Sequence, residues 1–146
     1  MTLVDTNVWI RLAQADSPHR SISESALQHL RQVDELCVCA QVIIEFWAVA
    51  SRPITSNGLG LSIGECDALV QGMLQICRML HEPTDMSDRW LTFARKYGPV
   101  GKPCHDLRLV VLAEAHGVQR ILSFNRADFA RFGEVQAIDP SQVGAR

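Results

Sequence analysis

Apolar residues along the chain follow two rhythms. Short apolar-rich runs occur at Leu3-Val4, Leu36-Cys37-Val38-Cys39, Met79-Leu80-His81-Glu82, Arg120-Ile121-Leu122-Ser123-Phe124 and Val135-Gln136-Ala137-Ile138, and they predict strands. Between them apolar positions recur at helical spacing, as at Ile22, Ala26, Leu27, Leu30 and Val33. Asp5-Thr6-Asn7 supplies helix-capping residue types ahead of Val8, Ile10 and Leu12. A further helix is predicted from Gln41 to Ser51, halted by Arg52-Pro53 because proline disfavours helix in the residue before it. Ile54 to Gly60 reads as loop, and Ser62-Ile63-Gly64-Glu65 has the form of a capping box for a helix running to about Cys77. The remaining helices are predicted at Ser87 to Tyr97, ended by Gly98-Pro99, at Cys104 to His116 after Pro103, and at Asn125 to Phe132.

The resulting order is β-α-α-β-α-α-β-α-α-β-α-β. Strands that alternate with helices and read as continuous apolar runs imply a parallel sheet covered on both faces. The expected fold is an α/β protein, a three-layer α/β/α sandwich with a central parallel sheet, in a single domain spanning residues 1–146.

Composition narrows this little but removes several classes. With 47% hydrophobic and 21% charged residues, the chain is neither disordered nor collagen-like nor a coiled coil. No apolar run approaches the ~18 residues of a membrane span, since Val42 to Ala50 is broken by Glu45. Met1-Thr2-Leu3-Val4-Asp5 lacks the basic start of a secretory signal, so a cytoplasmic location is expected. Five cysteines, an odd number, are expected to be free thiols, and the spacing of Cys37, Cys39, Cys104 and His105 matches no usual zinc site. The net charge of −2 does not advertise a nucleic-acid partner for the chain as a whole. One stretch is basic: Arg89, Arg95, Lys96, Lys102 and Arg108 share it with Asp106 as the only acid, and it is the candidate contact for a phosphate backbone.

Four acids stand out from the rest. Asp5 ends the first strand, Glu45 sits in Val42-Ile43-Ile44-Glu45-Phe46-Trp47, Asp106 lies in the first turn of its helix, and Asp128 follows the strand that ends at Ser123-Phe124. Glu45 shares its helical face with Gln41, Val42, Ala48 and Val49, so it must be protonated, paired with a base or bound to a cation. In a doubly wound sheet, ligands gather at the carboxyl ends of the strands, and all four acids are expected there. With no Lys or Arg beside Asp5 or Glu45 in sequence, the expected counter-charge is a metal. An all-oxygen set, supported by Thr6, Asn7, Ser123 and Asn125, suits Mg²⁺ or Mn²⁺. The natural substrate of such a site is a phosphodiester.

Leu3-Val4-Asp5-Thr6-Asn7, the isolated Glu45, Gly101-Lys102-Pro103-Cys104-His105-Asp106 and Ile121 to Phe129 together resemble the PIN domain. Within that family the chain resembles VapC-type toxin ribonucleases, including the Arg52-Pro53 and Asn57-Gly58-Leu59-Gly60-Leu61 loop. The resemblance maps acids onto Asp5, Glu45 and Asp106; the fourth position falls on either Asn125 or Asp128. It also implies a metal-dependent endoribonuclease, a homodimer and a cognate antitoxin. The expected roles are Asp5 and Asp106 as metal ligands, Asp128 completing the site or helping to hold a second ion, and Glu45 orienting or deprotonating the attacking water.

Three other readings remain at this stage. One is a non-catalytic PIN-like binding module. Another is a haloacid-dehalogenase-like phosphatase with Asp5 as nucleophile, although such enzymes have Asp-x-Asp where this chain has Asp5-Thr6-Asn7. The last is a metal-independent ribonuclease using His105 or His81 as base.

Overall fold

The computed structural model describes residues 1–144. Five strands, β1 (Thr2–Val4), β2 (Leu36–Cys39), β3 (Arg78–Leu80), β4 (Arg120–Leu122) and β5 (Gln136–Ile138), form one parallel sheet in the order β3-β2-β1-β4-β5. The helices are α1 (Thr6–Ala13), α2 (Arg20–Val33), α3 (Ala40–Ser51), α4 (Ile63–Ile76), α5 (Met86–Tyr97), α6 (Pro103–Ala115) and α7 (Arg126–Phe129). This is the element order expected from the sequence, and the three-layer α/β/α arrangement follows from it.

The chain steps outward from β1 to β2 to β3, then returns across the sheet to β4 and β5. Right-handed crossovers require the helices of the outward and return paths to cover opposite faces. Accordingly α1 packs on α2 and α3, and α3 on α4, whereas α5 packs on α6 and α6 on α7. The reversal places a crevice at the carboxyl ends of β1 and β4.

Burial explains the short strands. All of β1 and β2 is buried, whereas the edge strands β3 and β5 are partly exposed. The core beneath the helices is aliphatic with a few aromatics: Leu3, Val4, Val38, Val42, Phe46, Leu107, Leu109, Ile121 and Phe129. Cys37, Cys39, Cys66 and Cys77 are buried free thiols, and Cys104 is a half-buried one. Among the described residues, no helix is long and apolar enough to cross a membrane.

Boundaries differ from the sequence expectation where tertiary contacts intervene. β3 begins at Arg78 and stops at Leu80, before His81 and Glu82, because its partner β2 ends at Cys39, opposite Leu80. β4 stops at Leu122 because Ser123 turns its hydroxyl toward Asp5. α7 covers only four residues, after which the chain turns so that Phe129 and Phe132 are both buried.

The amino end of the sheet is tied by Asp34. Its carboxylate accepts from the Met1 amino group (2.8 Å), the Thr2 hydroxyl (2.6 Å), the Glu35 amide (2.9 Å) and Arg120 (2.6 Å). Burial alone would raise its pKa, but these donors and the Arg120 charge outweigh it and hold the carboxyl down at about 2.

Candidate active site

The carboxyl edge of the sheet holds a basin of about 340 Å³ whose walls include Asp5, Thr6, Asn7, Glu45, Lys102, Asp106, Asn125 and Asp128. All four singled-out acids therefore meet at one place, although one hundred residues of chain separate Asp5 from Asp106. Each arrives on a different connection. Asp5 leaves β1 and caps α1, Glu45 is one turn into α3, Asp106 is in the first turn of α6, and Asp128 lies on α7.

Asp5 is held most firmly. Its backbone amide donates to the Leu122 carbonyl of β4 (3.0 Å), which fixes it in the crevice between the central strands. Oδ1 accepts from the Thr6 amide at 2.7 Å, and Oδ2 accepts from Asn7 Nδ2 (2.7 Å) and from the Ser123 hydroxyl (2.7 Å). Asn7 Nδ2 donates its second proton to Ser123 Oγ (2.9 Å), and Asn7 Oδ1 accepts from the Phe124 amide (3.1 Å). Ser123 Oγ also accepts from the Asn125 amide (3.0 Å). Thus Asn7 and Ser123 tie α1 to the turn after β4 through the Asp5 carboxylate.

Asp5 is 8% exposed. Burial pushes its pKa up to about 6, the charges of Glu45 and Asp106 push the same way, and the Ser123 and Thr6 hydrogen bonds oppose them. Asp106 is also raised, first by burial and then by the Asp128 and Glu45 charges, with Lys102 opposing. The basin therefore has more negative charge than its own donors balance.

Glu45 is half-buried, with both oxygens engaged: Oε2 accepts from the Thr6 hydroxyl (3.0 Å) and Oε1 from Gln41 Nε2 (2.9 Å). Its partners are neutral donors, not a base. Gln41 was not singled out from sequence, since a neutral amide in a largely apolar helix gives no signal by itself.

Among the described residues, positive charge in the basin comes from two. Lys102 pairs with Asp128 Oδ2 at 2.6 Å, and Arg11, another wall residue, donates to Gln14 (3.1 Å). Arg11 also escaped the sequence reading, because one arginine at the end of an amphipathic helix resembles an ordinary solvated residue. The other basic candidates do not line the basin. Arg89 pairs with Asp85 and Glu114, Lys96 with Glu134, and Arg108 with Glu82, while Arg95 is exposed on α5. The stretch looks one-sided in sequence because most of the acids that neutralise it lie elsewhere in the chain.

The donors suit a hard cation. Apart from Arg11 and Lys102, the polar side chains of the wall are oxygen ligands or amides, the acids repel one another, and Lys102 is engaged with Asp128. Among the described residues, no three His, Cys, Asp or Glu side chains form a ready metal cage. Such a basin fits an ion that keeps several waters and takes only one or two carboxylates, as Mg²⁺ does.

The PIN domain family model matches residues 2–135. The chain belongs to the PIN domain family. Several solved structures share this fold across nearly the whole chain. VapBC2 from Rickettsia felis, bound to a promoter DNA fragment, is 13% identical with a TM-score of 0.71, covering 94% of this chain and 97% of that one. VapBC-1 from nontypeable Haemophilus influenzae is 16% identical with a TM-score of 0.68, over 97% and 98% of the two chains. Mycobacterium tuberculosis VapC20, described as a sarcin–ricin loop cleaving toxin, is 18% identical with a TM-score of 0.68, over 93% and 98%. No curated protein sequence matches the chain.

Proposed function

We propose that this PIN domain is a metal-dependent endoribonuclease of the VapC type, acting as the toxin of a toxin–antitoxin pair in the cytoplasm. The observation that carries the reading is the meeting of Asp5, Glu45, Asp106 and Asp128 around one basin whose buried acids lack enough positive charge of their own. Likeness in fold to VapBC proteins supports an antitoxin partner, and the sarcin–ricin loop cleavage by VapC20 supports RNA as substrate; a homodimer is part of the same reading.

In this reading Asp5 and Asp106 hold Mg²⁺ or Mn²⁺. A bound divalent ion would supply Lewis-acid stabilisation of the charge that develops on the phosphoryl oxygens. Asn7 and Ser123 hold Asp5 Oδ2, which leaves Oδ1, bonded only to the Thr6 amide, with acceptor capacity to spare. Glu45, aligned by Thr6 and Gln41, orients the attacking water and takes its proton as the new P–O bond forms. The P–O3′ bond breaks, the 3′ oxygen takes a proton from solvent, and the products carry a 5′-phosphate and a 3′-hydroxyl. Lys102 exchanges its bond with Asp128 for the substrate phosphate, and Arg11 at the rim adds a second backbone contact. Asp128 thereby completes the acidic site, and Asn125 stays an uncharged wall residue.

The test is cleavage of defined transfer and ribosomal RNAs by purified protein, with and without chelator, followed by sequencing of the cut ends. Cleavage that EDTA abolishes and Mg²⁺ restores, with 5′-phosphate ends, is expected, and Asp5→Asn should remove it. Full activity of Asp5→Asn sinks the assignment. Chelator-resistant cuts ending in 2′,3′-cyclic phosphate would transfer the chemistry to a histidine such as His105.

A further inference from the structure

Gln41 stands one helical turn before Glu45, is 7% exposed and is not a wall residue of the basin. Its amide nitrogen donates to Glu45 Oε1 (2.9 Å) and to the His105 carbonyl (3.0 Å), while its amide oxygen accepts from Arg108 Nη1 at 2.7 Å. Arg108 uses its other terminal nitrogen on Glu82. A guanidinium has only donors, and a carboxylate and a carbonyl have only acceptors. Only one orientation of the Gln41 amide therefore satisfies all three partners. The flipped amide would set its NH₂ against the guanidinium and its oxygen against Glu45.

Arg108 thus fixes the amide, and the amide fixes Glu45 Oε1, while Thr6 holds Oε2. The same amide ties α3 to the first turn of α6 through the His105 carbonyl, next to Asp106. We propose that Glu82, Arg108 and Gln41 form a positioning chain that holds the Glu45 carboxylate, and its register against Asp106, in the geometry hydrolysis requires. This rests on the hydrolytic reading of the basin. None of the three lines the basin, so they act through Glu45 and not on the substrate.

Four variants and two readouts test the chain. Gln41→Leu is expected to lower kcat about 10-fold to 100-fold, the range for loss of an orienting outer partner, with KM for RNA little changed. Gln41→Glu should fall at least as far, because it sets a carboxylate against Glu45. Arg108→Met should lower kcat about 10-fold, and Arg108→Lys, which keeps a cationic donor, should recover most of it. The second readout needs no activity: the Gln41 side-chain NH₂, bonded on both protons, should show separated, slowly exchanging signals by ¹⁵N NMR, and Arg108→Met should collapse them. Unchanged kcat in folded Gln41→Leu, or a Gln41 amide that exchanges like an exposed glutamine in the unaltered protein, overturns the proposal. Should Gln41→Leu fail to fold, the Arg108 pair decides by the same criteria. An unaltered protein inert toward RNA, but with a protected Gln41 amide, refutes the hydrolytic reading instead.

Discussion

Asp5 is where folding and chemistry make opposite demands. Its pKa is raised to about 6 by burial and by the neighbouring acids, so the folded state binds its proton more tightly than an unfolded chain does. The stability this contributes is full below the ordinary carboxylate value of about 4 and is lost as pH rises through about 6. At neutral pH the ionised carboxylate therefore costs about 3 kcal/mol, which a bound divalent ion would offset. Metal-dependent thermal stabilisation should be clear at pH 8 and absent at pH 5, as a Mg²⁺ or Mn²⁺ titration by thermal melting would register. Equal stabilisation at both values would contradict a metal held by Asp5. The same argument predicts that Asp5→Asn melts at an unchanged or higher temperature, since the amide forfeits one acceptor but removes the buried charge. Asp5, Glu45 and Asp106 were readable in the sequence because a carboxylate at a strand end or in an apolar helix needs an explanation. Gln41 and Arg11 were not, because their importance lies in partners far away in the chain.

At the level of elements, the segment after α3 shows how a loop can serve as a cap. Proline at position 53 ends the helix, and its last carbonyls would be left without partners if the chain simply moved off. Instead Leu59, Gly60 and Leu61 donate their amides back to Val49, Arg52 and Ala50 (3.1, 2.8 and 2.9 Å). The turn that allows this passes through Asn57, at φ 59°, and Gly58, where an added Cβ would lie 2.0 Å from the Arg52 carbonyl oxygen. Gly58→Ala is therefore expected to destabilise by about 2 kcal/mol or more, read from the urea midpoint, since backbone and not a flexible side chain must give way. A smaller change would mean that the turn relaxes freely. Because Asn57 and Gly58 also line the basin, cleavage should weaken as well. The capping box at Ser62 and Glu65 was legible from spacing alone, whereas this loop closure was not, since backbone hydrogen bonds leave no mark on residue types.

For the molecule as a whole, alternation of strand and helix was enough to anticipate a parallel sheet, and the sheet's reversal at β1 accounts for where the acids gather. Charge distribution was less legible. The basic stretch from Arg89 to Arg108 dissolves into separate ion pairs on the α5–α6 side, and only Lys102 reaches the basin. The thiols follow the layers in the same way. Cys37 and Cys77 have their pKa values pushed up by burial to about 11 and about 12, and Cys39 and Cys66 are buried beside them in the core. Cys104, at the start of α6, is the one thiol with partial access to solvent, and it lies two residues from Asp106. The folded protein should accordingly take up a single maleimide per chain, rising to five in denaturant, with intact mass spectrometry as the measure. That single handle would let a fluorophore report from the groove between α5 and α6, beside Trp90 and Arg108, without any engineered cysteine.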